Sequence, residues 1–116
     1  MPQPEIDPLD ALFAAPRFHR LLLENEYVRV LDTTVPTGET VPLHTHRWPS
    51  VLYIVSWSDF VRRDADGKIT MDTRGSMPLI AGAALWSGPV PLHTLENVGG
   101  NELRVIAVEQ KQCLTR

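Results

Sequence analysis

The chain has 116 residues, of which 43% are hydrophobic and 22% are charged, and its formal net charge is −3. These values indicate one soluble globular domain with a single core. The acidic balance, with Arg62-Arg63 as the only adjacent basic pair, speaks against a nucleic-acid partner, and no apolar run approaches the roughly 20 residues of a membrane span. One cysteine, Cys113, and the lack of a signal-peptide pattern predict a cytoplasmic protein without an internal disulfide.

Residues 1–24 are predicted to form an N-terminal tail and a short helix. The helix covers 7–15, with Asp7 as its N-cap and Pro16 after its end. Its larger apolar residues share one face, which we expect to pack on the domain as a lid or brace: Leu9, Leu12 and Phe13. His19 follows this helix and belongs to no motif, so we expect it on the surface.

The rest of the chain has the pattern of β-structure. Short β-rich runs alternate with turn signals about every 8–12 residues, as in sandwiches and barrels. The clearest hairpin turns at Asp64-Ala65-Asp66-Gly67, because Asp-Gly favours positive φ. The predicted strands cover 27–32, 41–46, 50–57, 60–63, 68–71, 79–86, 93–97 and 103–109. We therefore expect one barrel domain over 25–112 and a C-terminal tail over 113–116.

Three of the four histidines fall in two short segments that can meet in a folded β-domain. His44 and His46 are two residues apart, so on a strand both imidazoles point to the same face. His93 lies in a later predicted strand. Imidazole is the commonest protein ligand of metals, and three neutral nitrogens leave coordination positions open for catalysis. The pattern predicts that His44, His46 and His93 bind one divalent transition metal (Fe, or alternatively Zn, Ni or Mn).

Two sequence spacings resemble the motifs of the cupin superfamily. Gly38 is followed after five residues by His44 and His46, as in the first cupin motif. The second motif is matched in spacing by Gly82, His93 and Asn97. The resemblance implies an all-β jelly-roll barrel, here with a short N-terminal helix. It also implies a protein that is commonly a homodimer and has a metal inside the barrel mouth.

The departures from the cupin motifs concern the metal site most. Ser50 stands where the motif has its glutamate, and Trp57 stands where the first motif ends in glycine. In the second motif, Gly88 and Val90 replace a proline and a glycine. Without the glutamate, the predicted site has three histidines and no anionic ligand. The alternative interpretation is a barrel with three core histidines that binds nothing. Against it, buried imidazoles need hydrogen-bond partners, and the neighbouring strands offer mainly apolar side chains.

Four residues near the histidines are predicted to line a substrate pocket. Ser50 has the strand parity of Leu52, so it would face the cavity and either orient a metal-bound water or only make room. Arg47 follows the histidine pair and could anchor a substrate carboxylate or be simply solvated. Trp48 and Trp86 flank the two metal segments and could wall the pocket or fill the barrel.

Strand parity also predicts the outer surface of the barrel. Tyr53, Val55 and Trp57 have the opposite parity to Ser50, so we assign them to the outside. A jelly roll leaves edge strands unpaired. We therefore expect a homodimer built on strand edges or on this outer sheet face.

The predicted site suits several kinds of chemistry. Three neutral ligands leave a divalent ion with its full charge, which suits a chelating or anionic substrate and O₂ activation at Fe(II). Cupins with three histidines and no carboxylate resemble thiol and β-diketone dioxygenases. The leading interpretation is therefore a mononuclear metal dioxygenase with a small organic substrate. The alternatives are a Zn or Mn Lewis-acid isomerase or hydrolase, and a non-catalytic module that binds a small molecule or metal.

Overall fold

The computed structural model of the protein describes residues 7–111, which form nine strands and one short helix. The expected tail 113–116, with Cys113, and residues 1–6 lie outside the described residues. The elements in chain order are α1 (Ala11–Ala14), β1 (His19–Glu24), β2 (Val28–Val35), β3 (Thr40–His46), β4 (Ser50–Ser56), β5 (Phe60–Asp64), β6 (Ile69–Asp72), β7 (Ala84–Ser87), β8 (Val90–Asn97) and β9 (Leu103–Gln110).

Two antiparallel sheets face each other across the interior. The five-stranded sheet has the order β1-β2-β9-β4-β7, and the four-stranded sheet has the order β3-β8-β5-β6. This arrangement confirms the all-β jelly roll with a short N-terminal helix. Among residues 7–111, no helix is long and apolar enough to cross a membrane.

The sheet begins earlier than the sequence pattern indicated. β1 runs antiparallel to β2 from His19 onward, within the segment 1–24 that was assigned to the tail and helix. The turn between the two strands is closed by Asn25, whose side-chain oxygen accepts hydrogen bonds from the backbone N–H groups of Tyr27 and Val28. The expected domain boundary at residue 25 therefore falls inside a β-hairpin.

The helix is shorter than predicted, and a different face of it is buried. It covers Ala11–Ala14, and its N-cap is Asp10, whose carboxylate accepts the N–H of Leu12. Asp7 instead closes the preceding turn by accepting the N–H of Leu9. Ala11 is fully buried, whereas Phe13 is 58% exposed. The expected packing face was wrong. Arg29 donates two hydrogen bonds to Asp10, which fixes the start of the helix and turns Ala11 toward the interior.

A bulge in β4 changes which residues face the interior. Ile54 pairs with Val105 on β9, but Ser56 pairs with the adjacent Arg104, so β4 carries one extra residue between these pairs. The inside-outside alternation is reset after the bulge. Trp57 therefore packs against the core cluster and lines the interior cavity. The assignment of Trp57 to the outer face was wrong for this reason.

The apolar core adjoins the cavity, and Val35, Val41 and Leu103 belong to both. Its buried members are Ala15, Phe18, Val35, Val41 and Leu103. Burial of such side chains contributes about 25 cal/mol per Å² of apolar surface, so this cluster holds the two sheets together. The predicted hairpin is present between β5 and β6, with Gly67 at φ 85° in its turn.

Candidate metal centre and cavity

Four histidines converge between the two sheets. His44 and His46 lie on β3, and His93 lies directly opposite His44 on β8. His19, at the start of β1, reaches the same place from the other sheet and is only 4% exposed, so its expected surface position was wrong. The ring nitrogens of His19, His44 and His46 all lie within 4.8 Å of one another. The His93 ring centroid is 4.2 Å from that of His44 and 5.7 Å from that of His46.

Every one of the four rings has its Nδ1 bound to an oxygen on the side away from the cluster. Nδ1 of His19 lies 3.0 Å from the carbonyl oxygen of Ala15. The corresponding distances are 2.7 Å for His44 to the Pro42 oxygen and 2.7 Å for His93 to the Pro91 oxygen. A carbonyl oxygen only accepts, so each Nδ1 carries the proton and each Nε2 keeps a free lone pair.

Two of these lone pairs face each other at short range. Nε2 of His44 lies 3.2 Å from Nε2 of His46. With both Nδ1 atoms protonated, this contact has no hydrogen between the nitrogens and would be repulsive. Two imidazole nitrogens bound to one ion at about 2.1 Å, with an angle between the right angle and the tetrahedral value, lie roughly 3.0–3.4 Å apart. The observed separation therefore fits two ligands of one metal ion.

Burial keeps the imidazoles in the form that binds metal. It lowers the pKa of His19 and of His93 to about 4. It lowers the pKa of His44 to about 2, with the neighbouring His93 and His46 acting in the same direction. These rings are therefore neutral at pH 7, and a neutral imidazole is the state that ligates a divalent ion.

A buried ionic network supports the fourth ring. Nδ1 of His46 lies 3.2 Å from Oε2 of Glu109, whose Oε1 accepts from Nε of Arg29 at 2.6 Å. Arg29 also donates twice to Asp10, at 2.8 and 2.9 Å. Each of the three charged side chains is at most 5% exposed. Hydrogen bonds to Asp10 and Glu109 outweigh burial and raise the pKa of Arg29.

The network carries a net charge that suits a cation nearby. Two carboxylates and one guanidinium sum to −1, and this charge touches the cluster through His46. An anionic partner on Nδ1 makes Nε2 a stronger ligand and fixes the ring orientation. The residues present therefore fit a divalent metal. The Nε2 lone pairs of the histidines point into the cluster, their Nδ1 protons point away from it, and the negative charge of Glu109 lies behind His46.

A cavity of about 380 Å³ opens from the histidines. Its lining is mainly apolar and comes from both sheets, with Val35, Leu52, Ile54, Phe60, Met71, Leu85, Leu95 and Val105 among its members. Ser50 and Trp86 also line it, together with Trp57 and Arg62. Such a space is large enough for a small organic molecule beside a metal ion.

The fold places this chain among solved structures of one type. Neither a family model nor a curated protein matches the sequence. A cupin domain of Bordetella pertussis Tohama I has a similar structure, with a TM-score of 0.66 and 18% identity over 81% of this chain and 92% of that one. The chain has the cupin fold. An RmlC-like cupin family protein of Methanocaldococcus jannaschii is similar too, with a TM-score of 0.54 and 17% identity over 79% and 77%. The polyketide cyclase RemF of Streptomyces resistomycificus gives a TM-score of 0.52 and 17% identity over 81% and 64%.

A carboxylate lies across the sheet from Ser50. Ser50, at the position of the motif glutamate, is 6% exposed and pairs across the sheet with Glu109 on β9. Glu109 lies behind His46, so its charge reaches the cluster through the imidazole. The expected loss of the glutamate at position 50 stands, and Glu109 lies behind His46 rather than among the residues whose ligand atoms come together, namely His19, His44 and His46.

Two pocket residues expected from the sequence lie elsewhere. Arg47 and Trp48 are not among the residues that line the cavity. Arg47 is exposed and stacks on Trp48, with Cζ 4.3 Å from the ring centroid. Arg29 also lies near Trp48, with its Cζ 5.0 Å from the same ring centroid. Trp48 thus covers the buried ionic network, because the turn after His46 carries both residues out of the barrel.

Sequence reasoning missed His19, Arg29 and Glu109, although each left a signal. Glu109 continues the inward parity of Leu103, Val105 and Ala107 on β9, and Arg29 continues that of Val35 on β2. A charged residue at an inward position of an apolar strand indicates a buried ion pair. For His19, the signal was Asn25, a turn former between two β-rich runs.

Proposed function

We propose that this cupin is a mononuclear metal enzyme of the dioxygenase type with a small organic substrate. The observation that carries the proposal is the 3.2 Å contact between Nε2 of His44 and Nε2 of His46, with every histidine Nδ1 bonded outward. A cation bound by both nitrogens would explain this short contact. His44 and His46 are the central ligands, and His19 and His93 complete the set.

The neutral ligand set supports redox chemistry with oxygen. A bound Fe(II) would supply activation of O₂ beside a coordinated substrate. The chain's own residues supply the other requirements. The imidazoles keep their lone pairs directed inward, Glu109 orients His46, and the apolar walls exclude water from the substrate side of the cavity.

Metal content in single variants tests the ligand set. We expect His44→Ala and His46→Ala to purify with little metal, and His19→Ala and His93→Ala to lose at least tenfold in affinity. Ser50→Ala is the matched control, because Ser50 lines the same cavity without an imidazole. Elemental analysis of folded protein is the measurement. Stoichiometric metal in His44→Ala would contradict the proposal, and loss in only one of His19→Ala and His93→Ala would identify the third ligand.

Metal identity and oxygen consumption test the reaction class. Protein expressed without added metal should contain iron, and the iron form should consume O₂ in the presence of substrate. Zinc or manganese without oxygen consumption would instead support a Lewis-acid reaction. Substoichiometric metal with a bound metabolite would support a non-catalytic binding module.

The Lewis-acid reaction is the second candidate, and its support is the apolar cavity beside the histidines. The cyclase RemF, with a similar fold, is an enzyme of polyketide cyclisation by its name. An apolar cavity beside a metal ion can also fold and polarise an oxygen-rich substrate without redox change. Because the identity to RemF is 17%, the argument from that structure extends to the fold, and the test above decides the chemistry.

We also propose a homodimer that uses the outer face of the five-stranded sheet. Val51 is 37% exposed and Tyr53 is 47% exposed on β4, near the middle of that sheet. Exposed apolar side chains on a regular sheet face suit association with a second copy. Sedimentation should give about twice the 13.0 kDa monomer mass, and Tyr53→Glu should return it to the monomer. A monomeric parent protein at micromolar concentration would contradict this.

A further inference from the structure

Two buried polar atoms of the cavity lining have no hydrogen-bond partner. Within residues 7–111, they are Nε1 of Trp57 and Nε of Arg62, and both side chains line the cavity beside the histidines. Buried polar atoms in proteins are nearly always paired, because an unpaired one costs about 1–3 kcal/mol. Of the two, Arg62 carries a charge, so its unpaired guanidinium suits an anionic acceptor from outside the described residues.

Arg62 is held in the cavity by its strand. It lies on β5 with Phe60, two residues earlier and of the same parity, and both side chains line the cavity. Arg62 also lines an adjoining pocket of about 300 Å³ and shares both spaces with His93. Burial lowers its pKa. The guanidinium thus stands next to the candidate metal centre, with its charge uncompensated by any carboxylate of the described residues within 4.0 Å.

The neighbouring Arg63 shows what an ordinary arginine of this strand does. Its side chain points to the opposite face and donates to Glu96 at 2.9 Å. The two arginines are adjacent in sequence and share a strand, but only one has an acidic partner in the protein. The strand therefore does not prevent pairing. The difference lies in the surroundings, since the cavity face presents Arg62 with apolar walls and imidazoles.

Trp57 and Arg62 both lie beside Phe60 in the cavity lining. The ring centroid of Phe60 lies 5.8 Å from the Trp57 ring centroid and 5.8 Å from Cζ of Arg62. Phe60 thus lies near both side chains. An indole N–H and a guanidinium both donate and cannot accept, so their ligand must be an acceptor.

We propose that the cavity takes a small apolar carboxylic acid, whose carboxylate is bound by Arg62 while its apolar body lies against the walls, Trp57 among them, next to the metal centre. This substrate class rests on the proposed function. A single guanidinium matches a monoanion, and its fork fits the two oxygens of a carboxylate. The largely apolar lining matches a hydrocarbon body rather than a sugar or a nucleotide.

Binding of matched acids and amides tests this assignment. The probes are propanoate, hexanoate and phenylacetate, each compared with its neutral amide of nearly the same shape. Titration calorimetry on the full chain, as purified and after chelation of metal, gives the affinities. We expect at least one acid to bind tenfold or more tightly than its amide. No acid preference anywhere in the panel would overturn the proposal.

Variants test whether Arg62 causes the preference for acids over amides. Arg62→Met should abolish it, and Arg62→Lys should keep part of it. Arg63→Gln is the control and should leave it unchanged. Circular dichroism confirms folding, and Arg62→Lys serves if the Met variant does not fold. An unchanged preference in both Arg62 variants would overturn the assignment.

The chelated sample separates this proposal from the metal proposal. Binding of acids to Arg62 without metal, in a protein that never retains metal, would leave the carboxylate site standing and refute the metal enzyme. Stoichiometric metal without any acid preference would leave the metal proposal standing and refute the carboxylate site. An acid preference that requires metal and persists in Arg62→Met would place the carboxylate on the ion and overturn the role of Arg62.

Discussion

Two groups of buried polar residues meet at the cavity, and they differ in how their hydrogen bonds are satisfied. In the first group, every histidine Nδ1 and the charges of Asp10, Arg29 and Glu109 have partners within the protein. In the second, the buried donors Nε1 of Trp57 and Nε of Arg62 have none. The first group lies mainly at the junction of β1, β3 and β9, and the second on β5 and just after β4.

The difference indicates two kinds of ligand at one cavity. The first group turns its protons outward and its lone pairs inward, which suits a cation. The second has unpaired donors, one of them on a charged guanidinium, which suits an anion. A metal ion and an organic acid would complete the two groups together. The following predictions test each side of this comparison.

The largest effect is expected from breaking the satisfied group. Glu109→Ala leaves the buried Arg29 with one of its two carboxylates and His46 without its acceptor. The free energy of unfolding should fall by about 3–5 kcal/mol. Glu96→Ala is the control, because it breaks a more exposed pair with Arg63 and should cost less than about 1 kcal/mol. Urea unfolding measures both, and equal costs would contradict a structural role for the network.

Acidification should destabilise the metal-free protein. The imidazoles titrate at 6.5 when unfolded, whereas burial lowers the pKa to about 4 for His19 and His93 in the folded state. Between these values the unfolded chain binds more protons, so stability is present above pH 6.5 and falls as the pH drops toward 4. Within this range each histidine changes the free energy of unfolding by up to about 1.4 kcal/mol per pH unit.

The pH dependence is measured by urea unfolding of chelated protein at several pH values. The control replaces one titrating ring by an aromatic ring that does not titrate. His19→Phe should reduce the dependence of the unfolding free energy on pH by the contribution of one histidine. A slope that is the same in the parent and the variant would show that His19 is not buried in its neutral form.

A smaller effect is expected on metal affinity. Glu109→Gln keeps the size of the side chain but removes the negative charge behind His46. The loss of such a partner typically weakens metal binding by about 10–100-fold. Competition with a chromophoric chelator measures the affinity, with Ser50→Ala as the cavity control. An unchanged affinity would mean that His46 binds metal independently of Glu109.

The smallest effect is expected from the unsatisfied group. Arg62→Met replaces a desolvated, unpaired cation by an apolar side chain of similar length. The ligand-free protein should become more stable, by about 1 kcal/mol. Arg63→Met, which loses a pair with Glu96, should be neutral or slightly destabilising. A clear loss of stability in Arg62→Met would mean that Arg62 supports the fold rather than a ligand.

Much of the fold and part of the site follow from local patterns. The hairpin at Gly67, the strand that carries His44 and His46, and the matching segment with His93 were all predictable, because alternation and turn chemistry act over a few residues. The position of Trp57 was not, because a one-residue bulge in β4 reverses parity without a sequence signature.

By itself, the sequence determined that this chain is a small all-β protein of cupin type with histidines on facing strands. Only the tertiary structure decided that His19 joins them, that Glu109 contacts His46 from a position across from Ser50, and that Arg62 is left without an acidic partner among the described residues. The physical reason is that periodicity specifies the face of a strand, whereas cross-strand register and sheet pairing decide which side chains meet.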